Sequence, residues 1–315
     1  MIEASFEAVV PKVINAEFEA VIPREKAFDI VNKDIHIDTN GKYEVKADAG
    51  TAMTQVNVEV EVPTDEYSNF TYTLIDETTI ITSNYKTLKI HEGVESADIR
   101  DMYNLEQLIL PSTFKILLSS GFMNLRSIKN IELPKNTTIL GMNGFHACGS
   151  LESIYIPANV IQIQPPCFGN CISLAKITVD PNNAIYDSRN DCNSIIQTDT
   201  DTLAEGGIAS TIPEGIKIIG VYAFRGRGPE RIVFPKSVTR IETNAFNTNL
   251  QTFIYDFRNH EVIPTLANTN AFTGIPATCK IVVPDALYDQ WIVATNWATY
   301  KSRIVKASEF VEPTN

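Results

Sequence analysis

The chain has 315 residues, 44% hydrophobic and 20% charged, the composition of a folded soluble protein rather than a disordered one. Its net charge of −12 is concentrated at the front: residues 1–100 hold 19 acidic and 9 basic side chains, residues 101–315 hold 19 and 17. That acidity argues against nucleic acid and anionic membrane as partners, because phosphate repels it, and no stretch approaches the about eighteen apolar residues of a membrane helix.

Residues 1–30 read as an amphipathic strand arm. Ile2-Glu-Ala-Ser-Phe-Glu-Ala-Val-Val-Pro11 is repeated twelve residues on as Ile14-Asn-Ala-Glu-Phe-Glu-Ala-Val-Ile-Pro23. In each copy apolar and polar residues alternate, as in a strand with one buried face. Two strands make no independent core, so Ile2, Phe6, Val10, Ile14, Phe18 and Ile22 are expected to dock on the next domain or on another subunit. The arm is therefore the candidate for assembly or anchoring, through a homo-oligomer or another particle protein. The first dozen residues lack both a basic segment and a continuous apolar run, so no secretory signal is read there. Either the chain is not exported by that route, or it is a mature form with a restart Met.

Residues 31–85 read as a small antiparallel β module. Asn40-Gly41 is expected to turn a hairpin between Ile35-His-Ile and Lys42-Tyr-Glu-Val. Val56, Val58, Val60 and Val62 alternate down another strand.

From residue 86 to 284 the pattern changes to a repeat. Five times a proline is followed eleven residues later by a phenylalanine: Pro111/Phe122, Pro134/Phe145, Pro157/Phe168, Pro213/Phe224 and Pro235/Phe246. An apolar residue precedes each proline (Leu110, Leu133, Ile156, Ile212, Phe234) and another follows six residues after it (Leu117, Leu140, Ile163, Ile219, Ile241). Periods of 22 and 23 residues fall in the leucine-rich-repeat range. The reading is a short strand ended by proline, a return arm and a phenylalanine filling the coil, with neighbours stacked into a curved solenoid because no coil buries its own apolar face. Leu88, Ile90, Val94 and Ile99 form a degenerate first coil with His91 in the proline position. A later coil around Phe253 and Tyr255 is read with Asp256 in that position.

Residues 181–207 interrupt the array with turn-forming and apolar groups, expected as an inserted β-hairpin. Their Asp and Asn residues lack the oxygen spacing of a calcium loop. Five cysteines (Cys148, Cys167, Cys171, Cys192, Cys279) have no metal-site spacing, and Cys148 and Cys171, one repeat apart, read as small buried fillers whose bonding is left open. Residues 285–315 form a cap and tail, with Asp285 as expected N-cap and Leu287, Trp291 and Ala294 at helical spacing over the last coil.

The strand–Pro–Val–x–x–Ile–x–x–x–Ala–Phe unit, as Ile232-Val-Phe-Pro-Lys-Ser-Val-Thr-Arg-Ile-Glu-Thr-Asn-Ala-Phe246, closely resembles the BspA-like (Treponema-type) leucine-rich repeats. The resemblance spans about residues 86–310 and includes the insertion from Tyr186 and the tail from Val283. It implies adhesion by cell-surface proteins of bacteria and some protists, and carries no catalytic residues. Asn40-Gly-Lys-Tyr43 with Val56-Asn-Val-Glu-Val60 resembles, over about 30 residues, a small β module of phage and prophage structural proteins.

No enzymatic constellation emerges. His36, His91, His146 and His260 are scattered, and there is no nucleophile elbow or phosphate-binding loop. The fold expected is β-rich: an antiparallel N-terminal module, then a leucine-rich-repeat solenoid with an inserted hairpin and a capping helix. The function expected is non-enzymatic, without cofactor or metal: a bacteriophage virion component displaying the array to a protein or glycan on a cell surface. The alternative is a bacterial surface adhesin whose export signal is missing from this sequence. Outward strand positions Glu106, Gln107, Ile109, Glu132, Glu152, Ser153, Tyr155, Arg231 and Val233 are the candidate binding surface, with Tyr155 and Ile109 as its hot spot.

Overall fold

A computed structural model describes residues 86–90 and 94–313, and the strands 18–23, 35–37, 41–48, 53–60, 68–75 and 78–83 by their backbone alone. The chain divides into two compact units, residues 1–151 with 162–164, and residues 152–161 with 165–315.

In the first unit, Gly41–Asp48 pairs antiparallel with Met53–Val60, which pairs antiparallel with Thr87–Ile90. Thr87–Ile90 then pairs in parallel with Gln107–Ile109, so the first coil of the array grows directly from the N-terminal sheet. Ile35–Ile37 does not pair with Gly41–Asp48 as the expected hairpin requires but with Ser68–Ile75, in a separate sheet, and Asn40 lies outside the described residues. Gly41–Asp48 has both edges occupied, one by the eight-residue ladder to Met53–Val60 and the other by a six-residue parallel ladder to Phe18–Pro23, which leaves no edge for a three-residue partner. Of the arm, Phe18 and Ile22 lie in the strand Phe18–Pro23, parallel to Gly41–Asp48. Ile2, Phe6, Val10 and Ile14, like His91, lie outside the described residues.

The return arms stack as two-residue parallel strands: Ser96–Ala97, Ile116–Leu117, Ile139–Leu140 and Gln162–Ile163. Leu117, Leu140, Phe122 and Phe145 point inward and are fully buried, and the Phe122 and Phe145 rings meet edge to face at 5.7 Å. Cys148 is a buried thiol outside any disulfide, and its Sγ donates to Phe122 C=O at 3.1 Å.

The second unit repeats the construction. Ser153–Ile156 pairs in parallel with Lys176–Val179, and Arg231–Val233, Ile254–Asp256, Lys280–Val283 and Ile304–Lys306 form one parallel sheet. The insertion is a three-stranded antiparallel meander, Tyr186–Asp187, Ser194–Gln197 and Thr202–Gly206, whose last strand continues in parallel into the return-arm row through Ile218–Ile219. Phe224, Phe246 and Phe272 stack with centroids 5.4 and 4.8 Å apart. Cys167, Cys171, Cys192 and Cys279 are buried thiols that form no disulfide.

The turn that carries each phenylalanine has its own backbone rule. The residue two after it adopts positive φ every time: Asn124, Ala147, Asn170, Gly226, Thr248 and Gly274. Only Gly and Asn enter that region cheaply.

Two expectations about the last coils change. Val233, Asp256 and Val282 lie opposite one another. Two residues on, Arg258 therefore shares the column of Pro235 and Pro284, and Asp256 is a strand residue rather than the proline substitute. The cap is also shorter than a full helix: Asp285–Leu287 and Trp297–Tyr300 are 3-10 turns around the single α-turn Tyr288–Trp291. Pro284 occupies the N-cap position, and Asp285 instead accepts from Ser308 N–H at 3.0 Å. Trp291 and Trp297 nonetheless close the core, fully buried and 5.3 Å apart, and Trp297 Nε1 donates to Pro264 C=O at 2.7 Å.

Candidate binding surface

Strand alternation sorts the predicted surface residues. In the first unit Gln107–Ile109 has its middle residue buried and its ends exposed, with Ile109 39% exposed. Glu106 and Glu132 are exposed, and Glu106 pairs with Lys86 at 3.3 Å. An exposed pair of this kind contributes little to stability.

In the second unit Glu152 and Tyr155 are exposed and Ser153 is half-buried. Tyr155 holds 46% of its surface free, yet its hydroxyl donates to Asp180 Oδ2 at 2.7 Å. That bond to the carboxylate raises the phenol pKa, so the ring is presented neutral and in a fixed orientation.

Arg231 differs from the others. It is half-buried, with Val233 beside it exposed, and it bonds to Asp256, while its Nη1 meets Glu312 at 2.7 Å. Arg258 joins the same two carboxylates at 2.9 and 3.0 Å. Burial works against the ionised Asp256, but the bonds from Arg258 and Arg231 outweigh it and hold its pKa below the usual carboxylate range. Here the chain's own tail lies on the outward side: Ala307 N–H bonds to Val283 C=O at 2.9 Å and Arg258 sits 5.9 Å over the Phe310 ring. Asp256 and Val282, outward by register, are 2% and 0% exposed.

Asp180, Arg258 and Glu312 were not among the sequence candidates. Their position in the repeat gives no sign of the bonds they make, from Asp180 to Tyr155 one coil back and from Arg258 and Arg231 to Glu312 in the tail.

Inside the second unit lies a different charge pair. Arg227 and Glu205 are both fully buried and bonded to each other. Arg227 Nε and Nη1 also donate to Gly206 and Phe168 C=O, each at 2.5 Å, and Glu205 accepts from Cys167 N–H at 2.7 Å. Desolvation raises the Glu205 pKa, against the pull of Arg227. With every polar atom engaged inward, the pair fastens the insertion to the neighbouring coils and offers nothing to a ligand. Two of the insertion's acids are likewise used internally, Asp187 and Asp201 on Arg189 at 2.6 and 3.1 Å. Among the described residues no group of three His, Cys, Asp or Glu side chains could hold a metal.

The profile of the BspA type leucine-rich repeat region matches residues 94–198 and 208–288, in six copies. A leucine-rich repeat protein from Eubacterium ventriosum is similar in fold, with a TM-score of 0.50 at 16% identity over 80% of this chain and 72% of that one. A leucine-rich repeat protein from Bacteroides ovatus gives 0.43 at 16% over 71% of each chain. The pneumococcal vaccine antigen PcpA gives 0.38 at 11% over 76% of this chain and 95% of that one. No curated protein matches the sequence.

Proposed function

We infer the function of this chain from its family: it belongs to the BspA-type leucine-rich repeat proteins. We propose that it is a non-enzymatic adhesin of a bacterial cell surface, binding a protein or glycan through outward strand positions. The observation that carries this is the pair Ile109 and Tyr155: large groups at strand positions, 39% and 46% exposed, while every repeat phenylalanine is buried. A neutral ring held by Asp180 is the low-entropy, half-apolar element that binding hot spots use. Within the first unit Glu106, Gln107 and Glu132 would add polar contacts to Ile109, and within the second Glu152 would add one to Tyr155. Arg231 belongs to the tail-covered region and enters the surface only if Glu312 releases it.

The virion reading rests on the short N-terminal resemblance. The family match begins at residue 94, so it supports the surface reading and adds nothing to the other. Peptide mapping of native protein in the bacterial surface fraction and in phage particles separates the two, recovery in particles alone sinking the adhesin. For the binding face, Tyr155→Ala and Ile109→Ala should each weaken capture of the chain by immobilised host matrix proteins or a glycan array about tenfold. Undiminished capture by both variants would refute binding through these strand positions.

A further inference from the structure

In the second unit, strands bond laterally to the coil before them. Ala175 and Lys176 N–H bond to Glu152 C=O, Phe253 and Ile254 N–H bond to Glu230 C=O, and Lys280 N–H bonds to Phe253 C=O. Arg231–Val233 has no such neighbour and ends its sheet. Ile254 N–H reaches Glu230 C=O, and Phe234 N–H reaches Asp256 C=O at 2.9 Å. Glu230, Ile232 and Phe234 thus aim their backbone groups at the next strand, and alternation turns those of Arg231 and Val233 to the open side. On that side lies a cleft of about 480 Å³, with Ser210, Ile212 and Glu214 on one wall and Arg231, Val233 and Pro235 on the other. Residues 210–213 form no strand, although Ile212-Pro213 repeats the Ile156-Pro157 pattern. The cleft is therefore a sheet edge lacking its partner, the arrangement that takes up an added strand.

We propose that the occupant is residues 2–11 of a second copy of this chain, added in parallel. On this sheet Pro235, Arg258 and Pro284 share one column. With Pro11 placed in that column, Glu7 falls beside Arg231, Ala8 beside Ile232, Val9 beside Val233 and Val10 beside Phe234. Ala8 and Val10 belong to the arm's apolar alternation and come next to Ile232 and Phe234, which are buried at 2% and 1% exposure. Glu7 comes next to the guanidinium, where it replaces the exposed Glu312. A one-residue slip would reverse both matches. Lys236 is paired with Glu261 at 3.2 Å and stays outside the exchange. The near-copy of this sequence shows the required behaviour, since Phe18–Pro23 forms an outermost strand parallel to Gly41–Asp48. The near-copy is engaged there, and residues 2–11 carry the same alternation of apolar and polar residues ending in proline.

The test is sedimentation of the full chain over a dilution series. The wild type should associate. Val233→Pro removes the open-side amide while respecting the tolerance of edge strands for proline, and Glu7→Lys removes the charge match. Each should weaken association at least about tenfold. The swap Glu7→Arg with Arg231→Glu should restore what Glu7→Arg alone loses, and a synthetic peptide of residues 1–12 should dissociate the wild type. A wild type monomeric at every concentration, or Val233→Pro associating like it, overturns the proposal. So does a scrambled peptide competing equally well, which would mean an edge open to any strand. Should Val233→Pro lose its fold by circular dichroism, Glu7→Lys, on the donor side, decides alone.

Discussion

The outward strand positions of the first coils and of the last ones obey the same alternation and meet opposite fates. Gln107 and Ile109 stand in solvent beside buried Leu108, whereas Asp256 and Val282, at equivalent outward positions, are almost wholly covered. The interiors do not differ in this way, since Phe122, Phe145, Phe224 and Phe246 are all fully buried. The repeat therefore dictates what lies inside a coil. What happens outside depends on the chain beyond the repeat, here the strand Ile304–Lys306 and the tail that bonds to Val283, Arg231 and Arg258.

The strongest way to challenge the likeness of the interiors is to cut the same ring from each. Phe145→Ala and Phe246→Ala should each cost about 3–5 kcal/mol in denaturant unfolding, and a loss from one unit only would show that the two cores are not equivalent. Next comes the buried pair that distinguishes the second unit. Glu205→Gln leaves Arg227 buried without its counter-charge and should cost about 3 kcal/mol. Replacing both residues by apolar ones of similar volume should regain much of it, and thermal melts of the three variants would report the difference.

The covered outer face gives a pH signature. Because the folded Asp256 pKa is depressed, its contribution is present above the unfolded value of about 4 and is lost as pH falls through the lower folded value. Melting temperature should therefore fall more steeply below about pH 4 in the wild type than in Asp256→Asn, which starts lower. Parallel curves would refute the linkage. The smallest effect expected is a gain. Thr248 is a β-branched residue at φ +53°, in the position where other coils place Gly226 and Gly274. Thr248→Gly should stabilise by about 0.5–1 kcal/mol through relief of that strain, read as a small rise in melting temperature. Gly226→Ala should do the reverse, since its Cβ would lie 1.7 Å from Asn170 Oδ1.

The array was legible in the sequence because each signal is local and recurs. Proline ends a strand by lacking a donor, and apolar residues six and eleven positions later fill the same layer in every coil, so Leu117, Phe122, Ile241 and Phe246 could be placed inward without coordinates. The Asn-Gly turn failed for the opposite reason, as a two-residue preference lost the second edge of Gly41–Asp48 to the six-residue parallel ladder of Phe18–Pro23. Asp256 was misplaced because its coil lacks the proline that sets the count, and only the register with Val233 and Val282 restored it. Sequence by itself determined the repeat, its buried side and the parallel stacking, all properties of near neighbours along the chain or of one period. Tertiary structure alone decided that Tyr155 is held by Asp180, that Arg227 is buried against Glu205, that a tail covers one outer face, and that Arg231–Val233 is left with an open edge. Each depends on pairings across 22 to 81 residues, for which no spacing rule in the chain provides a signal.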